Sequence, residues 1–232
     1  MDYVIADVEG TLTSGSMWRA IGRYLAHSGR GGDYRRLVAR TLPGILAMRW
    51  GLIDRQAYKN RWLEMEAGLL AGATPTQIDR LAEWVVEQDL WPRRRPEVMA
   101  ELGAHHAQGR TVILASGMYE AVLQALAARF DTGPVQFVGT PLTFAGDGPA
   151  RLFTGRFAGP VCVAEEKAAR VRQLLAERQE QTGSGPGRIL AAYGDTGSDL
   201  PMLQLARDPV AVAPDRELAR VARERGWRTL CV

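Results

Sequence analysis

The sequence predicts an α/β fold in which a doubly wound parallel sheet is interrupted by an inserted helical domain. Two observations carry that reading. After residue 91, short apolar strands at 111–115, 134–138, 188–193, 209–212 and 228–231 alternate with helical stretches, a pattern that builds one parallel sheet with helices on both faces. Residues 14–90 break the alternation, because 17–27, 34–49, 55–70 and 76–88 carry the apolar spacing of amphipathic helices.

Taken in order, the first strand is the apolar run 3–6, and Asp7, Val8, Glu9, Gly10 and Thr11 follow it, so two carboxylates project from a strand end. An acidic turn there can also do no more than cap the next helix. Thr13-Ser14-Gly15-Ser16 on one side and Trp91-Pro92, leading into Arg93-Arg94-Arg95-Pro96, on the other bound the insertion. This divides the chain into an α/β core of residues 1–13 and 91–232 and a helical domain of 14–90. Trp18, Trp50, Trp62 and Trp84 fall in the inserted helices at spacings that fit packing among themselves. The strand 111–115 ends in Ser116-Gly117, a hydroxyl and a glycine expected to open a helix near Met118 and to offer backbone N–H groups to phosphate oxygens. Lys167 stands just before the helical run 168–176. It is one of only two lysines, with Lys59, in a chain whose other basic side chains are arginines. The glycine-rich stretch 182–187 reads as a flexible surface loop. The strand 189–193 then delivers Gly194-Asp195-Thr196-Gly197-Ser198-Asp199, two more carboxylates four residues apart. Ligands of open parallel sheets collect beyond the carboxyl ends of the strands. Asp7, Ser116 and Asp195 therefore converge on one crevice.

The composition narrows the function classes. A chain of 232 residues, 46% hydrophobic and 24% charged, has the make-up of an ordinary globular protein with room for a core and a smaller domain. The net charge of +3 comes from 29 basic and 26 acidic residues that are interspersed, which argues against a nucleic-acid-binding stripe. Cys162 and Cys231 cannot make a disulfide framework and point to a reducing cytoplasm. No apolar run approaches the roughly 20 residues of a membrane span, and no cationic leader precedes the first strand. The expectation is a soluble cytoplasmic protein without membrane or nucleic-acid partners. His27, His105 and His106 show no metal-ligand spacing and read as packing or helix-surface residues.

The ordered set of Asp7-Val8-Glu9-Gly10-Thr11, Ser116-Gly117, Lys167 and Gly194-Asp195 to Asp199 resembles the haloacid dehalogenase superfamily, in particular its phosphoserine-phosphatase-like branch. The resemblance spans residues 1–13 and 91–232, and includes Phe153 to Gly159, Cys162, Ala213-Pro214-Asp215 and Gly226-Trp227. It implies a Rossmann-like core, a helical cap that excludes water and selects substrate, and Mg2+-dependent hydrolysis of a small phosphorylated metabolite by a monomer or homodimer. On the family's pattern Asp7 is the nucleophile, forming an aspartyl-phosphate. Ser116 and Gly117 bind phosphate, Lys167 neutralises charge, and Gly10 and Thr11 shape the phosphate cradle.

The residue types support such chemistry directly. A phosphomonoester repels an approaching anion, so an attacking carboxylate needs a divalent cation and fixed positive groups around it. Magnesium suits an all-oxygen site with one or two carboxylates. Asp7, Asp195, the backbone carbonyl of Glu9 and, directly or as a brace, Asp199 are the candidate ligands. The family's pattern has aspartate where this chain has Glu9, as the residue that protonates the leaving group and activates water. Glu9 can fill that role with its longer side chain, and the same Asp-x-Glu-Gly-Thr wording occurs in the enolase-phosphatase family, which makes an enzyme of that kind one alternative. A phosphate-binding regulatory domain with weak turnover is another. The cap carboxylate that holds the amino group in phosphoserine phosphatase has no counterpart in Thr13-Ser14-Gly15-Ser16-Met17. Arg61 is the candidate for the family's carboxylate-binding arginine.

Overall fold

The computed structural model describes residues 1–232 except Gly51, Ser184 and Pro186, and except the side chains of Arg49 and Arg55. Ser184 and Pro186 belong to the stretch read as a flexible surface loop, so that part of the reading lies outside the described residues. Six parallel strands form one sheet: β1 (Asp2–Ala6), β2 (Thr111–Tyr119), β3 (Val135–Thr140), β6 (Arg188–Gly194), β7 (Asp208–Val212) and β8 (Arg228–Leu230). Their order is β3-β2-β1-β6-β7-β8. The chain thus winds outward from β1 in one direction, returns, and winds outward in the other, and the reversal falls between β1 and β6.

The two faces of the sheet follow from the alternation of side chains along each strand. Tyr3 and Ile5 of β1, with Ile113, Ala115, Ala192 and Ala211, point to one face, where α7 (Ala164–Thr182), α8 (Leu200–Leu203) and α9 (Arg216–Arg225) supply Val171, Met202, Leu203 and Leu218. Val4 and Ala6, with Val112, Leu114, Ala191 and Val210, point to the other, covered by α5 (Pro96–Ala107) and α6 (Glu120–Ala127). Both faces are buried, which is why the central strands read as continuous apolar runs. The doubly wound α/β expectation is met.

The four helices expected before residue 91 are present as α1 (Met17–His27), α2 (Gly31–Arg49), α3 (Arg55–Gly68) and α4 (Pro75–Val85). The fourth starts one residue earlier than its apolar pattern indicates. Pro75 occupies the first helical position, and Thr74 and Gln77 form a reciprocal capping box, with Gln77 N–H to Thr74 Oγ1 at 3.3 Å and Thr74 N–H to Gln77 Oε1 at 2.9 Å. Its last turn widens into a π-helical segment, Val86–Leu90. The apolar residues of α1 and α4, among them Met17, Ile21, Leu25, Ile78, Leu81 and Val85, join the same cluster as Val4 and Leu114, so this half of the core runs without a break from the sheet into the inserted helices.

Two readings change. The strand expected to stop at Ala115 continues to Tyr119, with an irregularity in its pairing to β3 between Ala115 and Tyr119, and the following helix opens at Glu120 instead of near Met118. The tryptophans do not form one group: Trp18 meets Trp62 edge-on at 5.3 Å, Trp84 packs on Tyr24 and His27, and Trp50 is exposed. The sequence reading also passes over an antiparallel hairpin, β4 (Leu142–Ala145) with β5 (Leu152–Phe157). Its Phe153 exchanges backbone hydrogen bonds with the link between α3 and α4: Gly72 N–H to the Phe153 carbonyl, and Phe153 N–H to the Ala73 carbonyl, both at 2.8 Å. The hairpin thereby ties the inserted helices to the segment that follows β3.

Candidate active site

The carboxyl ends of β1 and β6 lie side by side, with Ala6 paired to Tyr193 and the Asp7 N–H bonded to the Tyr193 carbonyl at 3.0 Å. Asp7 leaves β1 there, at the reversal of strand order where open sheets bind ligands. Carboxylate oxygens of Asp7, Asp195 and Asp199 lie within 4.8 Å of one another. Lys167, the fourth residue of α7, donates to Asp7 Oδ1 at 2.8 Å and Asp199 Oδ1 at 2.6 Å. All three members of this ion cluster are buried, with Asp7 5%, Lys167 4% and Asp199 1% exposed.

Each neighbour has a visible support. Asp199 accepts at Oδ2 from the backbone N–H groups of Asp195 (3.3 Å) and Thr196 (3.1 Å) and from the Thr196 hydroxyl (3.1 Å), so the turn 195–199 closes on its own last carboxylate. Thr11 donates to Asp195 Oδ1 at 3.1 Å. Gly10, at φ 91°, lies so close beneath Asp195 that a Cβ would fall on that carboxylate. Thr140, buried at the end of β3, donates to the Gly117 carbonyl at 2.9 Å and accepts from the Cys162 N–H at 3.1 Å. It ties Ser116-Gly117 to the segment that leads into the helix of Lys167. Ser116 is itself buried, and Gly117 faces Val163, whose side chain sits 3.0 Å from where a Cβ would be.

The electrostatics follow from this packing. Burial pushes the Asp7 carboxyl well above its ordinary range, Lys167 opposes that, and the charges of Asp199 and Asp195 add to it. Burial and Asp199 raise Asp195 to about 6. For Asp199, burial alone would raise the carboxyl, but Lys167 and the Thr196 hydrogen bonds overcome it and hold it below the usual carboxylate value. Lys167, which burial would discharge, is held charged by Asp199 and Asp7. Three carboxylates facing one ammonium leave two negative charges unmatched. An all-oxygen donor set with a surplus of that size fits a hard divalent cation.

Glu9 lies apart from this cluster. Its carboxylate accepts the Met17 N–H at 2.8 Å, at the start of α1, where the N-cap Ser16 makes no side-chain cap of its own. Burial raises its carboxyl, and the Met17 hydrogen bond and the charges of both lysines, Lys59 and Lys167, oppose the rise. Of the two roles foreseen for Glu9, cation ligand through its backbone carbonyl and acid/base through its side chain, only the first needs no movement of the side chain. Arg61 is not brought to the cluster: it is exposed on α3, and no hydrogen bond or ion pair among the described residues joins it there. Its helical phase turns it outward, while Trp62, Leu63 and Glu66 turn inward. The expectation that Arg61 binds substrate finds no support in its position.

Three further residues near the crevice escape the motif reading. Lys59 is exposed on α3, yet its charge is felt at Glu9. Glu66 and Tyr119 are fully buried, and Glu66 Oε1 and Oε2 and the Tyr119 hydroxyl have no hydrogen-bond partner among the described residues. The periodicity of α3 carries the missed signal for Glu66, which falls between Trp62 and Leu63 on one side and Leu69 and Leu70 on the other, on the apolar stripe.

Comparison with known proteins agrees with this geometry. A family model described as haloacid dehalogenase-like hydrolase matches residues 4–204. The chain belongs to that family. It is 32% identical over 179 residues to the histidinol-phosphatase of Neisseria meningitidis serogroup C, covering 75% of this chain and 78% of the relative. In fold it is similar to a protein with unknown function from Bordetella pertussis Tohama I, at a TM-score of 0.78 and 23% identity, covering 99% of this chain and 98% of the other. It is also similar to a probable phosphoserine phosphatase from Vibrio cholerae, at a TM-score of 0.57 and 20% identity, covering all of this chain and 60% of that one. The chain is accordingly an enzyme of the haloacid dehalogenase-like hydrolases, with relatives that are named phosphatases. No helix among the described residues is long and apolar enough to cross a membrane.

Proposed function

We propose that the chain is a Mg2+-dependent phosphatase that hydrolyses a small phosphomonoester through an aspartyl-phosphate on Asp7. The observation that carries the reading is the buried cluster of Asp7, Asp195 and Asp199 around Lys167, with its two unmatched negative charges, at the switch point of the sheet. Asp7, Asp195 and the backbone carbonyl of Glu9 would hold the cation, with Asp199 beside them. When bound, a divalent cation offsets the charge of the phosphate and of the carboxylate that must approach it.

The chain's own groups perform the steps. Ser116 and the N–H of Gly117 orient the phosphate oxygens, Gly10 and Thr11 shape the floor of the cradle, and the Lys167 ammonium, bonded to Asp7, opposes the upward push that burial gives its carboxyl. An Asp7 oxygen attacks phosphorus while the ester bond breaks, and the departing alkoxide takes the proton of Glu9. Glu9, now a carboxylate, removes a proton from water as that water attacks the aspartyl-phosphate, releasing inorganic phosphate and regenerating Asp7. A carboxyl raised by burial suits the first of these roles, and the helix N-terminus at Met17 suits the second by stabilising the carboxylate. Because Glu9 is bonded to α1, its reach into the cradle depends on where the helices of residues 14–90 sit. We take these helices to be the cap over the site, and a cytoplasmic setting fits the free thiols of Cys162 and Cys231.

The name of the Neisseria relative makes histidinol phosphate the first physiological ester to assay, beside the generic p-nitrophenyl phosphate. With millimolar Mg2+ the protein releases phosphate from at least one of them, and Asp7→Asn lowers the rate by about a thousandfold or more. Undiminished turnover in Asp7→Asn would sink the mechanism.

A further inference from the structure

The basic residues are less evenly spread along the chain than their totals imply. Residues 30–62, which take in α2 and the first half of α3, hold eight lysines and arginines against two acids, Asp33 and Asp54. Both acids are engaged. Asp33 pairs with Arg30 and Arg36, and Asp54 caps α3 by accepting the Ala57 N–H at 2.7 Å. The segment thus carries +6 in a chain whose net charge is +3, so everything outside it sums to −3. Among the described residues Arg35, Arg40, Lys59 and Arg61 are exposed and enter no ion pair.

The same segment holds large apolar side chains in water. On α2, Arg35, Leu42, Leu46 and the C-capping Trp50 fall on one outward stripe, with Ala39 completing the spacing of three or four. Arg36 and Arg40 flank it. The opposite stripe is the packed one: Leu37 and Thr41 are buried, the Thr41 carbonyl accepts the Tyr58 hydroxyl of α3 at 2.7 Å, and a Cβ on Gly44 would strike the Tyr58 ring. Trp50 is 74% exposed and Leu52, in the link to α3, is 71% exposed, with Leu42, Leu46 and Ile53 exposed beside them. Single exposed apolar residues need no explanation, but a continuous set of five marks a surface that is covered by something.

The charge of the segment selects the occupant. A twofold contact between two copies of the chain would set +6 against +6. Nucleic acid would use the arginines but would leave three leucines and an isoleucine in water. An anionic bilayer surface satisfies both halves, because tryptophan and leucine side chains enter the headgroup–acyl boundary while arginines stay with the lipid phosphates. We propose that the outer face of α2 and its link to α3 dock peripherally on an anionic lipid bilayer, with Leu42, Leu46, Trp50, Leu52 and Ile53 inserted and Arg35, Arg36 and Arg40 on the headgroups. No helix among the described residues is long and apolar enough to span the bilayer, so the contact is with its surface. This contact is independent of the phosphatase reading, since none of its residues belongs to the cluster around Asp7.

The test is co-sedimentation of the full chain with vesicles, either of phosphatidylcholine alone or with about 30 mol% phosphatidylglycerol. At about 0.1 M salt the protein should partition to the anionic vesicles at least about tenfold more strongly than to the neutral ones, and about 0.5 M salt should remove most of that preference. Trp50→Ser with Leu52→Ser should lower binding to anionic vesicles about tenfold or more. Arg35→Gln with Arg40→Gln should do the same and weaken the salt dependence. All four side chains are exposed, so the urea midpoints of both variants should match wild type. Equal partitioning to the two kinds of vesicle, or anionic binding that survives Trp50→Ser with Leu52→Ser, would overturn the proposal. So would a wild-type dimer in sedimentation velocity that those two substitutions dissolve, which would give the face to a second copy. Tighter binding to duplex DNA, lost with the arginines and indifferent to Trp50 and Leu52, would give it to nucleic acid and overturn the proposal as well.

Discussion

A methyl group on Gly10 would land on the Asp195 carboxylate while forcing an L side chain to a φ of 91°. Gly10→Ala must therefore either push Asp195 away from Asp7 or distort the turn after β1. We expect it to lower stability by about 1–3 kcal/mol and turnover by about a hundredfold or more, with Asp195 still present. Wild-type kinetics in Gly10→Ala would mean that Asp195 has no fixed place in the site. Lys167 argues in the same way from charge. Among the described residues it is the only cation contacting Asp7 and Asp199, and Lys167→Met removes it while keeping most of the volume, so two buried carboxylates are left uncompensated. In chelator, urea unfolding of this variant should show a loss of about 3–5 kcal/mol, and a change below about 1 kcal/mol would contradict the ion cluster. At this scale the sequence was legible where chemistry needs a particular atom at a strand end: Asp7, Lys167, Asp195 and Asp199 do meet, while Glu9 turns away to α1. It was illegible for Glu66, because Glu64-Met65-Glu66 reads as an ordinary charged helix face until its phase against Trp62, Leu63 and Leu70 is counted. Tyr119 stayed hidden for a different reason, since a tyrosine after an apolar strand is usually only core.

The chain enters and leaves the inserted helices through one short pair of backbone segments. Thr13 donates to the Leu90 carbonyl at 2.7 Å, Ser14 N–H to the Arg93 carbonyl at 3.1 Å, and Arg95 N–H to the Leu12 carbonyl at 2.8 Å, so the outgoing and returning chains are stitched together. At their centre is Asp89, 1% exposed within the π-helical segment, which accepts the Ser16 N–H at 2.6 Å and pairs with Arg23 of α1 and with Arg93. The widened turn brings this carboxylate to the start of α1, and π segments of this kind are common beside functional sites. Asp89→Ala strands those partners, and we expect a loss of about 2–4 kcal/mol by urea unfolding. Because the Met17 N–H that Glu9 caps belongs to the same helix start, this variant should also impair turnover, although Asp89 touches none of the reacting groups. Turnover that matches wild type at temperatures where the variant is fully folded would separate the join from the chemistry. The elements themselves were legible in proportion to their length. The helices of 11 to 19 residues that make up α1 to α4 announce themselves by period. The hairpin of β4 and β5 does not: its strands are four and six residues long, and glycines and prolines at Pro141, Gly146, Gly148 and Pro149 make the region look like loop. The end of β2 was misread because Ser116-Gly117 carries the signature of a helix start, whereas pairing of Tyr119 with Thr140 holds the chain extended beyond it.

For the molecule as a whole, the crevice is a place where folding concentrates negative charge, so stability must answer to pH and to divalent cations. Asp195 has a carboxyl raised from 3.8 to about 6 in the folded protein, and Asp7 is shifted in the same direction. A group raised on folding binds its proton more tightly in the native state. Its contribution to stability is fully present below its unfolded value and is lost as pH rises through its folded value. Asp199 has the opposite sign, being lowered, but its contribution is already complete once pH exceeds the unfolded value of 3.8. Between about pH 4 and pH 6 the site therefore destabilises the cation-free protein progressively, with Asp195 alone accounting for about 1–3 kcal/mol. A divalent cation bound by the ionised carboxylates offsets that loss. It competes with protons for the same oxygens, so its stabilising effect must be small at about pH 4.5 and approach its full value near about pH 7. Thermal unfolding in chelator and in millimolar Mg2+ across this range should thus give two curves that nearly coincide at the acid end and separate as pH rises. Asp195→Asn should flatten the chelator curve and shrink the separation together, because both effects are read from one carboxylate. A constant gap between the two curves, or one that survives Asp195→Asn unchanged, would place the cation elsewhere on the protein.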